Sequence, residues 1–311
     1  MSRATTDFVI AIVDRAGFTE SWHTGVAVLV DRDGEVLEQH GSVDAQHILP
    51  RSSLKPLYAA SMLALGNELA DDRHLALACA SNGRLPMHVE LAAEMAAALG
   101  VEETELLCPP MRPAAGGEAA RLAHMCVGKH LLMAKTARQF EADLPYTDLA
   151  HPLQERLRED LERLTGVQTR ASVADGCTAP VHSTSAAGFA RAFRQLSVDA
   201  GDPLAAELLR AGAAMRRHPA LVEAPGKPDT VVGQAFDCVA KFGAEGTLAI
   251  TMPDGVTAVA HCFDGARRAA TVAAVDMLAR HGAIPDDTIE RYANELELRH
   301  SGAVVRPVLE G

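Results

Sequence analysis

A chain of 311 residues that is 48% hydrophobic has ample material for a real core, in one large domain or two small ones. Lys and Arg number 29 against 41 Asp and Glu, a formal net charge of −12 that repels nucleic-acid phosphates and leaves no nucleic-acid partner expected. Aromatic residues make up only 4%, so Ala, Leu and Val must fill the interior, which favours close-packed Ala-rich helices over an aromatic-rich sandwich.

The segment Met1 to Asp7 lacks a basic stretch followed by an apolar run, so no signal peptide is expected. No apolar run approaches the length of a membrane span, so no membrane partner is expected and a cytoplasmic address follows. The first forty residues read as strands: Phe8 to Val13, Thr24 to Val30 and Val36 to His40, with Asp31-Arg32-Asp33-Gly34 as a hairpin turn. Lys55 to Leu69 is rich in Ala, Leu and Met and reads as a helix. So does Met87 to Leu99, which opens after Pro86 and stops at Gly100. Further helices are predicted at Leu131 to Phe140, Pro152 to Leu164, Ser185 to Leu196 and Pro203 to Arg216. The Pro/Ala/Gly-rich stretch Pro109 to Gly117 is a loop candidate. Strand character returns at Thr247 to Met252 and Val256 to Cys262, flanking the turn Pro253-Asp254-Gly255. Helices at Ala266 to His281 and Thr288 to Leu298 are expected to close the chain.

Strands at both ends and helices between them imply an α+β fold: an antiparallel sheet built from the N- and C-terminal strands, with a helical region over about residues 53–235 inserted in it. One domain spanning residues 1–311 is the expectation.

Four groups of residues could carry chemistry. In Arg51-Ser52-Ser53-Leu54-Lys55-Pro56 a serine and a lysine stand three residues apart, on one face of a helix's first turn. An amine whose pKa is lowered can take the hydroxyl proton, but the same motif also describes a helix cap beside a solvated lysine. Ser81, in Cys79-Ala80-Ser81, follows a helical apolar run and could face a cleft or simply turn the chain. Lys241-Phe242-Gly243 places a cation at a sheet edge, with a glycine that admits close backbone approach; a surface lysine before a strand is the plain alternative. The order SxxK, Ser, KxG matches that of serine β-lactamases. The fourth group is Cys126-Val127-Gly128-Lys129-His130 with Asp175-Gly176-Cys177. From ligand chemistry alone, Cys126, His130 and Cys177 are the obvious zinc set, and buried free cysteines are the alternative. The six cysteines are widely spaced, without a CxxC pair, so a disulfide framework is not expected.

Taken in order, these segments, with Arg217-His218-Pro219 and Lys241-Phe242-Gly243-Ala244-Glu245-Gly246, resemble the asparaginase II family, the rhizobial-type zinc-binding L-asparaginases. The resemblance implies a fold akin to serine β-lactamases and glutaminases, usually as a homodimer. It implies hydrolysis of the side-chain amide of L-asparagine by two Ser–Lys tandems, Ser52 with Lys55 and Ser81 with Lys241. It also implies one zinc ion per subunit, structural or substrate-orienting, held by Cys126, Lys129 and Cys177, so that lysine displaces His130. Arg51 and Asp175 become candidate binders of the substrate's α-carboxylate and α-ammonium, or else a structural ion pair. The sequence departs from the family pattern at Met125, at Val127 and over Asn82 to Leu85, next to the presumed pocket. A glutaminase, another small-amide hydrolase of the same fold, or a catalytically weak binding protein is therefore the alternative.

Overall fold

The computed structural model describes residues 8–309; Met1 to Asp7, where no signal peptide is expected, lie outside the described residues. Its strands, in chain order, are β1 (Val9–Arg15), β2 (Phe18–Val30), β3 (Val36–His40), β4 (His47–Ile48), β5 (Ser172–Ala174), β6 (Pro180–His182), β7 (Thr184–Ser185), β8 (Val239–Gly243), β9 (Thr247–Thr251), β10 (Thr257–Cys262), β11 (Arg299–His300) and β12 (Ala303–Pro307). The helices are α1 (Lys55–Ala64), α2 (Asp72–Ala78), α3 (Pro86–Leu99), α4 (Val127–Ala137), α5 (Pro152–Thr165), α6 (Ala186–Phe193), α7 (Ala205–Arg217), α8 (Pro219–Val222), α9 (Pro228–Phe236), α10 (Arg267–Arg280) and α11 (Thr288–Arg291), and a 3-10 turn at Arg51–Leu54 leads into α1.

The fold is α+β, with a main antiparallel sheet ordered β11-β12-β1-β2-β10-β9-β8 and β3 paired to β2. Both chain ends contribute strands, as the sequence pattern requires. The long strand β2 joins the two halves of the sheet. Phe18 to Thr24 pairs with β1, whereas Gly25 to Val30 pairs with β10 on one side and, from Ala27, with β3 on the other. Residues 25–30 are apolar without alternation because both faces of the sheet are covered. Val26, Val28 and Val30 enter the core under the helical region, while Ala27 and Leu29 enter the core against α10. The two-residue period of a strand makes that division.

Three expectations are corrected. The helix from Lys55 stops at Ala64, before a turn at Gly66 (φ +86°), and α2 restarts behind Asp71, whose carboxylate accepts a bond from Arg73 N. The stretch from Thr288 is helical only to Arg291, and β12 then returns beside β1. The helix expected from Leu131 begins at Val127, with no side-chain cap to announce it.

Gly243 joins the sheet edge to the helical region. A Cβ there would stand 1.9 Å from the Pro50 carbonyl oxygen and 3.1 Å from Ser53 Oγ, so only glycine lets β8 lie against the 3-10 turn. Gly243→Ala is expected to destabilise the protein by about 2 kcal/mol or more, measured by denaturant unfolding; an unchanged midpoint would contradict this close contact.

Candidate active site

Lys55 and Lys241 are 2% and 0% exposed. Removing two ammonium-type groups from water is costly, and both are drawn to the same oxygen. Lys55 Nζ donates to Ser81 Oγ at 3.0 Å, and Lys241 Nζ lies 3.2 Å from it. Ser81 is fixed from its backbone: its N–H donates to Val222 O at 2.9 Å, and the next N–H, of Asn82, donates to Met125 O at 3.0 Å. The segment Arg217-His218-Pro219 thus serves Ser81 from a distance, by starting the α8 turn that ends at Val222.

Ser52, Ser81 and Lys241 line one cavity of roughly 400 Å³, together with Asn82, Arg84 and Met125 on one side and Glu223, Lys227 and Arg267 on another. A larger cavity of roughly 500 Å³ lies between α11 and β12, and its described lining carries no serine, cysteine or lysine.

The sequence pairs Ser52 with Lys55 and Ser81 with Lys241. The structure keeps Lys241 on Ser81 and directs Lys55 there as well; among the described residues no side-chain hydrogen bond joins Ser52 to Lys55, and only the Lys55 backbone N–H donates to Ser52 O. Lys55 Nζ also donates to Ala80 O and lies 3.2 Å from Cys126 Sγ. Lys241 Nζ donates to Phe242 O at 2.8 Å and stands 3.8 Å from Asp229 Oδ2. Burial lowers the Lys241 pKa below its ordinary value; Asp229 opposes that effect and Lys55 reinforces it.

Arg51 and Asp175, read from the sequence as ligands for the two ends of an amino acid, engage each other. Arg51 Nε and Nη2 reach Asp175 Oδ1 at 2.9 and 2.5 Å, and neither residue lines the cavity. Arg51 holds φ at +54°, an uncommon conformation for a side-chain-bearing residue, immediately before Ser52. The ion pair secures the turn: Arg51 is raised by its hydrogen bonds to Asp175, and Asp175 is lowered because Arg51, Lys129 and the Gly176 amide together overcome burial, the largest single influence.

Sequence reasoning missed the acidic network behind Lys241. Arg267 donates to Glu223 at 3.0 and 2.6 Å and to Asp229 Oδ1 at 2.8 Å, and Asp229 Oδ2 accepts from Phe242 N at 2.7 Å. Burial, then the neighbouring Asp229, pushes the Glu223 carboxyl up. Chain order does not disclose that these residues meet beside Lys241.

The thiol cluster shares a wall with this site. Cys126 stands at the N-cap of α4, Lys129 is on its first turn, and Cys177 sits in the turn between β5 and β6. Lys129 Nζ lies 3.1 Å from Cys177 Sγ, and all three residues are buried. A hydrogen bond from Cys177, against burial, holds the Cys126 thiol well below its usual range, while the same bond and burial raise Cys177. Two buried thiols beside a buried amine suit a thiophilic cation. His130 Nδ1 is 2.9 Å from Tyr146 Oη, whereas its buried Nε2 has no hydrogen-bond partner among the described residues. Another group of donors, His23, Cys262 and Asp264, gathers beside β10, with Arg268 Nη2 3.3 Å from His23 Nε2.

Two hydroxyls and a buried amine thus face one cavity, and a second buried amine meets the first on Ser81 Oγ. The chain belongs to the L-asparaginase II family, whose sequence profile matches residues 11–308. Membership implies an amidohydrolase acting on a small-molecule amide. No curated protein matches the chain. Among solved structures, the chain is similar to a β-lactamase from Mycobacterium bovis, at 15% identity and a TM-score of 0.48, over 83% of this chain and 94% of that one. It is also similar to a putative β-lactamase from Bacteroides dorei DSM 17855, at 16% identity and a TM-score of 0.43, over 87% of this chain and 93% of that one. Among the described residues, no helix is long and apolar enough to cross a membrane.

Asp229 binds Arg267, the Phe242 amide and the field of Lys241 at once. Asp229→Asn is expected to lower stability by about 3 kcal/mol, read from urea unfolding; a loss within error of zero would mean that the network is not coupled.

Proposed function

We propose that the protein hydrolyses the side-chain amide of a small substrate, with L-asparagine the family's own choice, through an acyl-enzyme on Ser52. The observation that carries this reading is the placing of Ser52, Ser81 and Lys241 on one cavity, with both buried amines on Ser81 Oγ.

In this mechanism Ser52 Oγ attacks the amide carbon. Its proton passes to the Lys55 amine one turn along the chain. From Lys55 the contacts run to Ser81 Oγ and on to Lys241 Nζ, a path along which a proton can reach the departing nitrogen. Ammonia leaves, water attacks the Ser52 ester, and the acid is released with the hydroxyl restored. Ser81 relays and positions; Ser52, on the cavity wall, carries the acyl group.

Zinc belongs to the same reading, as does the homodimer that the family implies. Cys126, Lys129 and Cys177 would hold the ion. When bound, it supplies a fixed positive charge that binds the two sulfurs to the amine and stiffens the wall behind Lys55. The hydrolytic groups themselves stand on the other side of Lys55.

Three measurements test this. Ser52→Ala is expected to cut ammonia release at least about a thousandfold; an unchanged rate removes Ser52 from the nucleophile role. Relay through a neutral Lys241 requires activity to rise with pH through that group's depressed pKa. Asp229 raises this pKa, so Asp229→Asn should move the limb to lower pH; a shift to higher pH would refute Lys241 as the titrating amine. Protein purified without added metal is expected to retain zinc, seen by elemental analysis, and Cys126→Ser to lose it. Full retention in the variant would exclude Cys126 as an essential ligand.

A further inference from the structure

We propose that the cavity selects amides that carry a carboxylate and no ammonium, with Arg84 as the residue that recognises the carboxylate. The inference rests on the amide-hydrolysis reading for its reaction and on the charges of the cavity wall for its selectivity.

Three cations line the cavity, Arg84, Lys227 and Arg267, beside the amine of Lys241 and against one carboxylate, Glu223. That carboxylate is engaged, because the Arg267 fork occupies both of its oxygens. Asp229 behind it is occupied by Arg267, the Phe242 amide and Lys241. Lys227 is matched at the rim by Glu297, at 2.8 Å. Arg84 differs from Lys227 and Arg267: among the described residues no carboxylate lies within ion-pair distance of it. Its Nη1 donates to the Arg112 carbonyl at 2.9 Å, which orients the guanidinium without cancelling its charge and leaves other N–H groups for a carboxylate.

The backbone also fixes Arg84 in place. Its N–H donates to Asn82 Oδ1 at 2.9 Å, and its φ is +57°. Gly83, just before it, packs so tightly that a Cβ would stand 2.6 Å from the Cβ of Ala224 across the cavity. The turn therefore presents Arg84 in a set direction, three residues from Ser81.

An α-ammonium entering this cavity would meet like charges and no unengaged anion. The carboxylate that the sequence offers for it, Asp175, is closed onto Arg51 and does not line the cavity. A substrate with the amide and carboxylate of asparagine but hydrogen in place of the α-ammonium removes the conflict and keeps the attraction to Arg84. Succinamate is that molecule.

The test is titration calorimetry of succinamate and L-asparagine into the Ser52→Ala protein. Succinamate is expected to bind at least about tenfold more tightly. Arg84→Gln in the same background should remove most of that difference while the thermal midpoint holds. Arg84→Lys, which keeps the charge but not the fork, should remove less. Equal or tighter binding of L-asparagine overturns the proposal, and so does an affinity for succinamate that Arg84→Gln leaves unmoved. Ammonia release by the unmutated protein separates the two readings. Should neither amide release ammonia while the binding order holds, the charge selectivity stands and the hydrolysis reading alone falls.

Discussion

Two lysine side chains share one serine hydroxyl inside the protein, and the rest of the site is arranged around that contact. Amines at 3.0 and 3.2 Å from Ser81 Oγ cannot both be comfortable as ammonium ions, since each raises the cost of charge on the other. The structure meets this conflict unequally. Lys241 is the more deeply buried and has a carboxylate only at 3.8 Å, so its neutral form is favoured. Lys55 Nζ is also held by the Ala80 carbonyl and the Cys126 sulfur. Two buried amines meeting at one hydroxyl make a continuous chain of polar contacts from α1 to β8.

The fold makes that contact from segments far apart in the chain. The 3-10 turn and α1 bring Ser52 and Lys55, the end of α2 brings Ser81, and the edge strand β8 brings Lys241. The edge strand is anchored by the van der Waals contact of Gly243 against Pro50, and Ser81 by hydrogen bonds to Val222 and Met125 through its own and the following amide. Helical region and sheet meet along this seam, so the seam is where the chemistry sits. The acidic network of Glu223, Asp229 and Arg267 supports Lys241 from the far side.

Much of the fold is legible from patterning. The buried run in β2, the Pro86 and Gly100 boundaries of α3 and the Pro-Asp-Gly turn between β9 and β10 each declare themselves by period or by turn chemistry. The elements that escape are short or uncapped: α8 has four residues, α4 lacks a capping side chain, and β12 is a five-residue strand with no partner nearby in sequence except β11. For the site, residue types and order point to Ser52, Lys55, Ser81 and Lys241. The pairing among them does not follow from spacing, because an i,i+3 relation places Lys55 on the face of Ser52 without saying where a long side chain ends. Tertiary packing carries Lys55 across to Ser81. Arg51 and Asp175 show the same limit: opposite charges that suit a zwitterion also suit each other. Glu223, Asp229, Arg267 and Arg84 carry no sequence signature, because their role arises only from which walls face one another.

One contact links the two chemistries of the molecule. Lys55 Nζ touches Ser81 Oγ on one side and Cys126 Sγ, at 3.2 Å, on the other. Sulfur is the softest and most readily altered atom in that chain of neighbours. Whatever sets its charge acts electrostatically on the amine beside it. The sulfur and the hydroxyl therefore share one neighbour, so any change at Cys126 Sγ alters the surroundings of the amine that faces Ser81.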